Sequence, residues 1–184
     1  MSDIQISIVI PVYNEEANLD ALMKRLMPVM KGLGKRFEII LIDDGSRDNS
    51  LEVLKEFAKE PSVKVVELTR NYGQHAAIMA GFSVCTGSIV VTMDADLQNP
   101  PEEIPKLIKV MEEGSYDVVG TIRKGRKDSF WRIWPSKIIN IVARRITGVH
   151  MRDWGCMLRA YRKPVVERMS ACHEHSTFIP ALAT

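Results

Sequence analysis

The sequence predicts an α/β protein built on a doubly wound, largely parallel sheet with helices on both faces. Three observations predict it. Short β-branched apolar runs alternate with segments of helical periodicity at regular intervals. The connections between the apolar runs are long enough to carry crossover helices, which parallel strands require. Each apolar run also closes in a polar cluster, as strands do where they reach the open edge of such a sheet.

Taken in order, residues 4–12 form the first strand, with Ile4, Ile6, Ile8, Val9, Ile10 and Val12 apolar and mostly β-branched. Leu19, Leu22, Met23, Leu26 and Met30 recur at helical spacing, and Pro28 is expected to kink or end that helix near Leu26 or Met27. Gly32 and Gly34 mark its exit. Residues 37–42 form the second strand, closing in Asp43-Asp44-Gly45-Ser46, and Ser46 or Asp48 caps a helix over 49–59. A third strand over 63–68 ends in Arg70-Asn71-Tyr72-Gly73-Gln74. A small apolar helix follows over 75–84, then a fourth strand over 88–93, a helix over 102–113 stopped by Gly114, and a fifth strand over 116–122.

The 184 residues, 46% of them hydrophobic, suffice for one domain with a substantial core. A net charge of +2 gives no overall bias toward polyanions. Cys85, Cys156 and Cys172 are few, odd in number and far apart, which argues against a disulfide framework and fits a reducing compartment. No secretory signal is visible, and no apolar run reaches the roughly 18 residues of a membrane-spanning helix. The chain stops in apolar sequence, Phe178-Ile179-Pro180-Ala181-Leu182-Ala183-Thr184, and is expected to be cut from something longer. Cys172-His173 and His175 lack a fourth ligand at a recognisable spacing, so they do not make a zinc site.

The chemistry concentrates in Val90-Val91-Thr92-Met93-Asp94-Ala95-Asp96-Leu97-Gln98-Asn99-Pro100-Pro101. Two carboxylates one residue apart at a strand end repel each other as they lose water. They become sensible if a divalent cation sits there, since Mg²⁺ or Mn²⁺ takes one or two protein carboxylates and completes its shell with substrate phosphates. The competing reading is a solvated acidic turn. Four polar clusters along one sheet edge, at Tyr13-Asn14-Glu15, Asp43-Asp44, Arg70-Asn71 and Asp94-Asp96, favour the site. The first strand-to-helix turn, Pro11-Val12-Tyr13-Asn14-Glu15, has none of the glycines of a dinucleotide fold, and no P-loop pattern occurs, so nicotinamide enzymes and P-loop nucleotidases are excluded.

Pro11-Val12-Tyr13-Asn14-Glu15, Asp43-Asp44-Gly45-Ser46, Asn71-Tyr72-Gly73 and Asp94-Ala95-Asp96-Leu97-Gln98, in this order and spacing, resemble glycosyltransferase family 2, inverting enzymes of the GT-A fold. The run Asp96-Leu97-Gln98-Asn99-Pro100-Pro101-Glu102 resembles its polyprenyl-phosphate branch. Arg70-Asn71-Tyr72-Gly73-Gln74-His75, Gly155-Cys156-Met157-Leu158-Arg159-Ala160-Tyr161-Arg162 and His173-Glu174-His175-Ser176-Thr177-Phe178-Ile179-Pro180 resemble members that move 4-deoxy-4-formamido-L-arabinose to undecaprenyl phosphate. The resemblance runs from about Ile6 to the last residue.

The resemblance implies a metal-dependent transfer of a sugar from a nucleoside diphosphate, UDP in preference to GDP, to a polyprenyl phosphate on the cytoplasmic face of the inner membrane. Pro11, Tyr13 and Glu15 would shape the nucleotide pocket together with Asp44 and Asn71, and Asp43 would read uracil or ribose. Asp43-Asp44 has a second reading as a turn and helix cap. Asp94, Asp96 and Gln98 would hold the Mg²⁺ or Mn²⁺ that bridges the diphosphate. Arg123, Arg132 and Ser136 would hold the acceptor phosphate, for which the planar guanidinium fork is suited. Asp96, Arg123 and Asp153 form the catalytic set; Asp153 either orients the acceptor, acts as base or caps structure. Members of this branch usually carry two membrane helices after the catalytic domain.

The basic aromatic stretch 123–145 includes Arg123, Arg126, Phe130, Trp131, Trp134, Arg144 and Arg145. It reads either as an amphipathic helix on a membrane surface or as a helix packed on the sheet. No nucleic-acid motif accompanies it. Two other classes compete: a nucleotide-sugar binding module without turnover, and a receiver-type signalling domain. The latter expects an acceptor Asp where the third strand instead ends in Arg70-Asn71. Oligomeric state stays open, an oligomer being compatible with the sequence.

Overall fold

The computed structural model describes residues 4–121 and 157–171. In chain order the elements are β1 (Ile6–Val12), α1 (Glu16–Gly32), β2 (Phe37–Asp43), α2 (Ser50–Phe57), β3 (Val63–Glu67), α3 (Gln74–Val84), β4 (Ile89–Thr92), a 3₁₀ turn (Pro101–Glu103), α4 (Ile104–Glu113), β5 (Val118–Gly120), β6 (Arg159–Arg162) and α5 (Lys163–Ala171). The six strands form one sheet in the order β3-β2-β1-β4-β6-β5. β1 pairs in parallel with β2 and β4, and β2 with β3, whereas β6 runs antiparallel to both β4 and β5. The order reverses direction at β1, between β2 and β4, so a crevice opens beyond the C-terminal ends of β1 and β4.

Side-chain alternation along the strands divides the core. Ile6, Ile8, Ile10, Ile39, Leu41 and Val91 face α1, α2 and α4. Val9, Ile40, Ile42, Val90 and Tyr161 face α3 and α5. Both faces are therefore covered, as near-continuous apolar strands demand. Each fully buried Ile or Leu contributes about 1.5–3 kcal/mol of transfer free energy. On the α3 side the approach is close enough to need glycine: a Cβ at Gly81 would lie 2.5 Å from Val9 Cγ1 and 2.9 Å from Ile42 Cδ1.

Two expectations are corrected. α1 does not end near Leu26 or Met27 but continues through Pro28 to Gly32. Pro28 and Lys24, whose carbonyl loses its helical partner, both lie on the exposed side. Leu19, Leu22, Met23, Leu26 and Met30 anchor both halves of the helix to the sheet, so packing outweighs the lost bond. The helix expected over 102–113 opens as the 3₁₀ turn and becomes α-helical only from Ile104. The sequence reading also missed β6 and α5. β6 alternates, with Leu158 and Ala160 in one core layer and Tyr161 in the other, but its arginines disguised the pattern. Arg159 is only 1% exposed, and Arg162 Nη2 donates to Met111 O (2.6 Å) and Gly114 O (3.3 Å), closing the C-terminal end of α4.

The edge opposite the crevice is tied by one buried acid. Glu38 Oε1 accepts hydrogen bonds from Ser7 Oγ (2.6 Å), Thr86 N (2.7 Å) and Thr86 Oγ1 (2.9 Å), while Ser7 Oγ accepts one from Gly87 N (2.8 Å). Lys64 Nζ lies 2.7 Å from Oε2 without hydrogen-bond alignment, an ion pair at the half-exposed end of the network. The N-terminal ends of β1, β2 and β3 and the entry to β4 thus converge on a single carboxylate.

Among the described residues no helix is long and apolar enough to cross a membrane. Cys85 is a buried free thiol, its pKa pushed up by burial, as befits a core residue.

Candidate functional site

The site grows out of the turns after β1, β2, β3 and β4. The first two are laced together. Asn14, in the left-handed region at φ 54, accepts the Arg47 N–H on Oδ1 (2.8 Å) and donates its own N–H to Ser46 Oγ (3.1 Å). Glu15 N donates to Ser50 Oγ (2.9 Å), and Glu16 N to Asp48 Oδ2 (3.2 Å). Asp48 Oδ1 also accepts the first N–H of α2, from Ser50 (3.0 Å), so it caps that helix from one residue outside the formal cap, Asn49. Burial pushes the Asp48 carboxyl up, but the bonds from Ser50 and Glu16 outweigh it and hold it below the usual carboxylate range.

The two aspartates ending β2 have separate tasks. Asp43 is buried, and its carboxylate accepts the Ser46 N–H (3.2 Å), the turn arrangement that was one of its two readings. Asp44, also buried, reaches across to the turn after β3, where Oδ1 accepts Tyr72 N–H (2.8 Å) and Oδ2 accepts Gly73 N–H (2.9 Å). Charge-assisted bonds to two successive amides fix the start of α3. Gly45, at φ 68, permits the contact: a Cβ there would sit 2.5 Å from Arg70 C and 2.6 Å from Asn71 N, both backbone. Gly45→Ala should therefore cost about 2–4 kcal/mol, combining left-handed strain with a clash against main chain. Thermal melting will read that loss, together with weakened ligand binding because Asn71 must move.

On the far side of the crevice, Asp94 Oδ1 accepts Gln74 Nε2 (2.7 Å) and Asp94 Oδ2 accepts Asn99 Nδ2 (3.4 Å). Asp96 Oδ1 accepts the Gln98 N–H (3.0 Å), and Leu97 turns the chain at φ 60. The turn leads into Glu102, which Arg25 of α1 grips with two bonds of 3.0 and 2.7 Å.

These turns enclose a cleft of about 280 Å³ lined by Pro11, Tyr13, Glu15, Asp44, Asn71, Asp94 and Asp96, with Val12, Gly73, Gln74 and Ala95 between them. Seven residues expected at the site thus meet. Asp43 stands behind the cleft, and Gln98 is exposed outside its lining. Arg123, Arg132, Ser136, Asp153 and the stretch 123–145 lie outside the described residues. Gly73 and Gln74 were not assigned a role from sequence, although both stand in the run that carried the resemblance. Tyr72, at the rim, is exposed with the Arg70 guanidinium 4.9 Å from its ring centre. His75, one turn into the same segment, is half-buried, and burial lowers its pKa.

The cleft is electronegative. Four carboxylates line it, and among the described residues no lysine or arginine does. Glu15 gives one oxygen to Asn18 Nδ2 (2.7 Å) and Asp44 gives both to backbone amides, while Asp94 and Asp96 bring two further carboxylates to the lining. Such a surface repels a bare diphosphate and attracts a hard cation. No cluster of three or more metal-ligating side chains occurs among the described residues. Two carboxylates at an open cleft nevertheless fit a cation that fills the rest of its shell with phosphate and water.

A doubly wound sheet with paired aspartates outside the switch point is the arrangement of the GT-A glycosyltransferases, and the structural comparisons agree. Glucosyl-3-phosphoglycerate synthase from Mycobacterium tuberculosis, crystallised with Mn²⁺, uridine diphosphate and phosphoglyceric acid, superposes with a TM-score of 0.67 at 22% identity over 88% of this chain and 56% of that one. The mannosyltransferase PcManGT from Pyrobaculum calidifontis, in complex with GDP-Man and Mn²⁺, gives 0.65 at 19% identity, over 90% and 46%. The Glycosyl transferase family 2 model matches residues 7–170, and the chain belongs to that family. It is 61% identical over 181 residues to the undecaprenyl-phosphate 4-deoxy-4-formamido-L-arabinose transferase of Pseudomonas savastanoi pv. phaseolicola, covering 97% of this chain and 53% of the relative. The chain thus spans about half the length of that relative.

Proposed function

We propose that the chain carries the catalytic domain of an inverting, metal-dependent glycosyltransferase that moves a sugar from UDP to a polyprenyl phosphate, with 4-deoxy-4-formamido-L-arabinose and undecaprenyl phosphate as the pair suggested by the relatives' name. The observation that carries this reading is the acidic cleft at the β1/β4 switch point, with Asp94 and Asp96 in its lining. Asp94 and Asp96 would hold Mg²⁺ or Mn²⁺, with Gln98 of the same turn as the further ligand. When bound, the cation would supply a Lewis acid for charge on the departing diphosphate. Pro11, Tyr13, Glu15 and Asn71 cradle the nucleotide, and Asp44 holds the Asn71 turn against it. Its Mn²⁺-bound structural neighbours support divalent-metal use in this fold.

The acceptor nucleophile is a phosphate oxygen, which attacks the anomeric carbon as the bond to the diphosphate breaks, inverting the configuration. With a second pKa of about 6, a phosphomonoester is already ionised at neutral pH and needs little help from a base. It needs cations, a role assigned to Arg123 and Arg132, with Ser136 as a further hydrogen-bonding group and Asp153 orienting the acceptor. The basic aromatic stretch 123–145 carries the positive charge and aromatic residues that suit a membrane surface holding the lipid, and the reaction is assigned to the cytoplasmic face of the inner membrane.

The test is transfer of sugar from a panel of UDP- and GDP-sugars to undecaprenyl phosphate in detergent, read as glycolipid product. Mn²⁺- or Mg²⁺-dependent product from one UDP-sugar is the expected result. Nucleotide binding with no transfer to any lipid phosphate would favour the binding-module reading instead.

A further inference from the structure

Gln74 is the first residue of α3, and its amide donates to Asp94 Oδ1 at 2.7 Å. It follows directly on the Tyr72-Gly73 amides that Asp44 grips at 2.8 and 2.9 Å. Through these bonds the turn after β2, the start of α3 and the acidic turn after β4 form one chain of contacts around the cleft. Asp94 and Gln74 both line that cleft, as do Asn71 and Gly73 on the same segment. The Gln74 side chain is exposed, and its amide reaches Asp94 across the cleft.

We propose that Gln74 is a positioning residue that couples the nucleotide-bearing turn at Asn71–Gly73 to the orientation of Asp94, so that nucleotide and divalent cation strengthen each other's binding through this amide. The inference rests on the reading of the cleft given above and goes beyond it by assigning the coupling to one side chain. The short bond from Gln74 to Oδ1 sets the direction in which the Asp94 carboxylate faces. Holding that bond requires the segment that a nucleotide would order. Occupation of either half of the cleft therefore favours the geometry that the other half binds. Linkage makes the effect reciprocal: the factor by which Mn²⁺ tightens UDP equals the factor by which UDP tightens Mn²⁺. Asn99 donates to the second oxygen at 3.4 Å, a longer and weaker contact than the bond from Gln74.

The experiment is a calorimetric cycle on the chain and on Gln74→Ala and Gln74→Met: UDP titrated in EDTA and in saturating Mn²⁺, and Mn²⁺ titrated with and without UDP. Methionine keeps the length and helix propensity of glutamine but has no donor. Both variants are expected to lower the coupling factor at least about fivefold, within the usual range of such couplings, while UDP affinity in EDTA stays within about twofold and the melting temperature is unchanged. A merely structural role would move the melting temperature, or UDP affinity equally with and without metal. Variants that keep the wild-type coupling factor overturn the proposal, as does a loss of UDP affinity that is the same in EDTA. Wild-type protein whose UDP binding ignores EDTA overturns the metal reading of the cleft and this inference with it, a failure seen before any variant is made.

Discussion

Asp96→Ala is expected to abolish metal-dependent nucleotide binding and to lower sugar transfer by more than the roughly 100-fold that loss of an outer-shell partner costs a metal site. The fold should survive. Asp96 sits in a turn, and among the described residues its carboxylate accepts the exposed Gln98 N–H at 3.0 Å, a bond worth about 0.5–1.5 kcal/mol. The melting curve should therefore shift little while UDP affinity in Mn²⁺ falls to its level in EDTA. Asp94→Ala should produce a similar loss, with an added effect on the turn because Gln74 and Asn99 both lose their acceptor. Unchanged affinity with and without metal in Asp96→Ala would remove this carboxylate from the metal shell.

Glu38→Ala should be the most damaging substitution away from the cleft. It removes the acceptor for the Ser7 hydroxyl and for both the amide and hydroxyl of Thr86 in a region where Glu38 is 3% exposed. Each buried donor left without its acceptor costs about 1–3 kcal/mol. For a chain of this size such losses together correspond to a fall in melting temperature of about 10 °C. Loss of the Lys64 partner leaves no buried charge behind, because that lysine is half-exposed. Burial alone would push the Glu38 carboxyl up, yet the Lys64 ammonium, the Ser7 hydroxyl and the Thr86 groups together hold it below the usual glutamate value. The sign follows from linkage. A folded-state value below the unfolded one gives stability that is present above the unfolded pKa of about 4.3 and is lost as pH falls through the folded value. Acid unfolding of the wild type should show this component, and the Glu38→Ala profile should be flatter over the same range.

Much of this architecture is legible in the chain. β1, β2 and β4 are apolar runs buried on both faces and β3 is a Val-rich edge strand, so their hydrophobicity announces them and their polar ends announce the crevice. The paired aspartates were readable because like charges at a strand end need a reason. What escaped the sequence shares a common cause: contacts between residues far apart in the chain. The bond from Asp44 to the Tyr72 and Gly73 amides spans 28 and 29 positions, and nothing in Asp43-Asp44 says which aspartate serves the turn and which the clamp. Gln74 carries no mark of its attachment to Asp94, 20 residues on. β6 hid behind Arg159 and Arg162, since arginine in a short run argues for the surface until a carbonyl-rich helix end is placed beside it. Pro28 misled for the opposite reason: its local penalty is real, but five buried neighbours along α1 outweigh it.

The account turns on whether the cleft takes its nucleotide through a cation. The most direct measurement is calorimetric titration of UDP, and separately GDP, into the protein in Mn²⁺ and again in EDTA. The account predicts UDP binding in Mn²⁺ that weakens sharply in EDTA, with GDP the poorer ligand under both conditions. UDP binding of equal strength with and without the metal would contradict it, because a cleft lined by Glu15, Asp44, Asp94 and Asp96 would then be holding a diphosphate by means these residues do not provide.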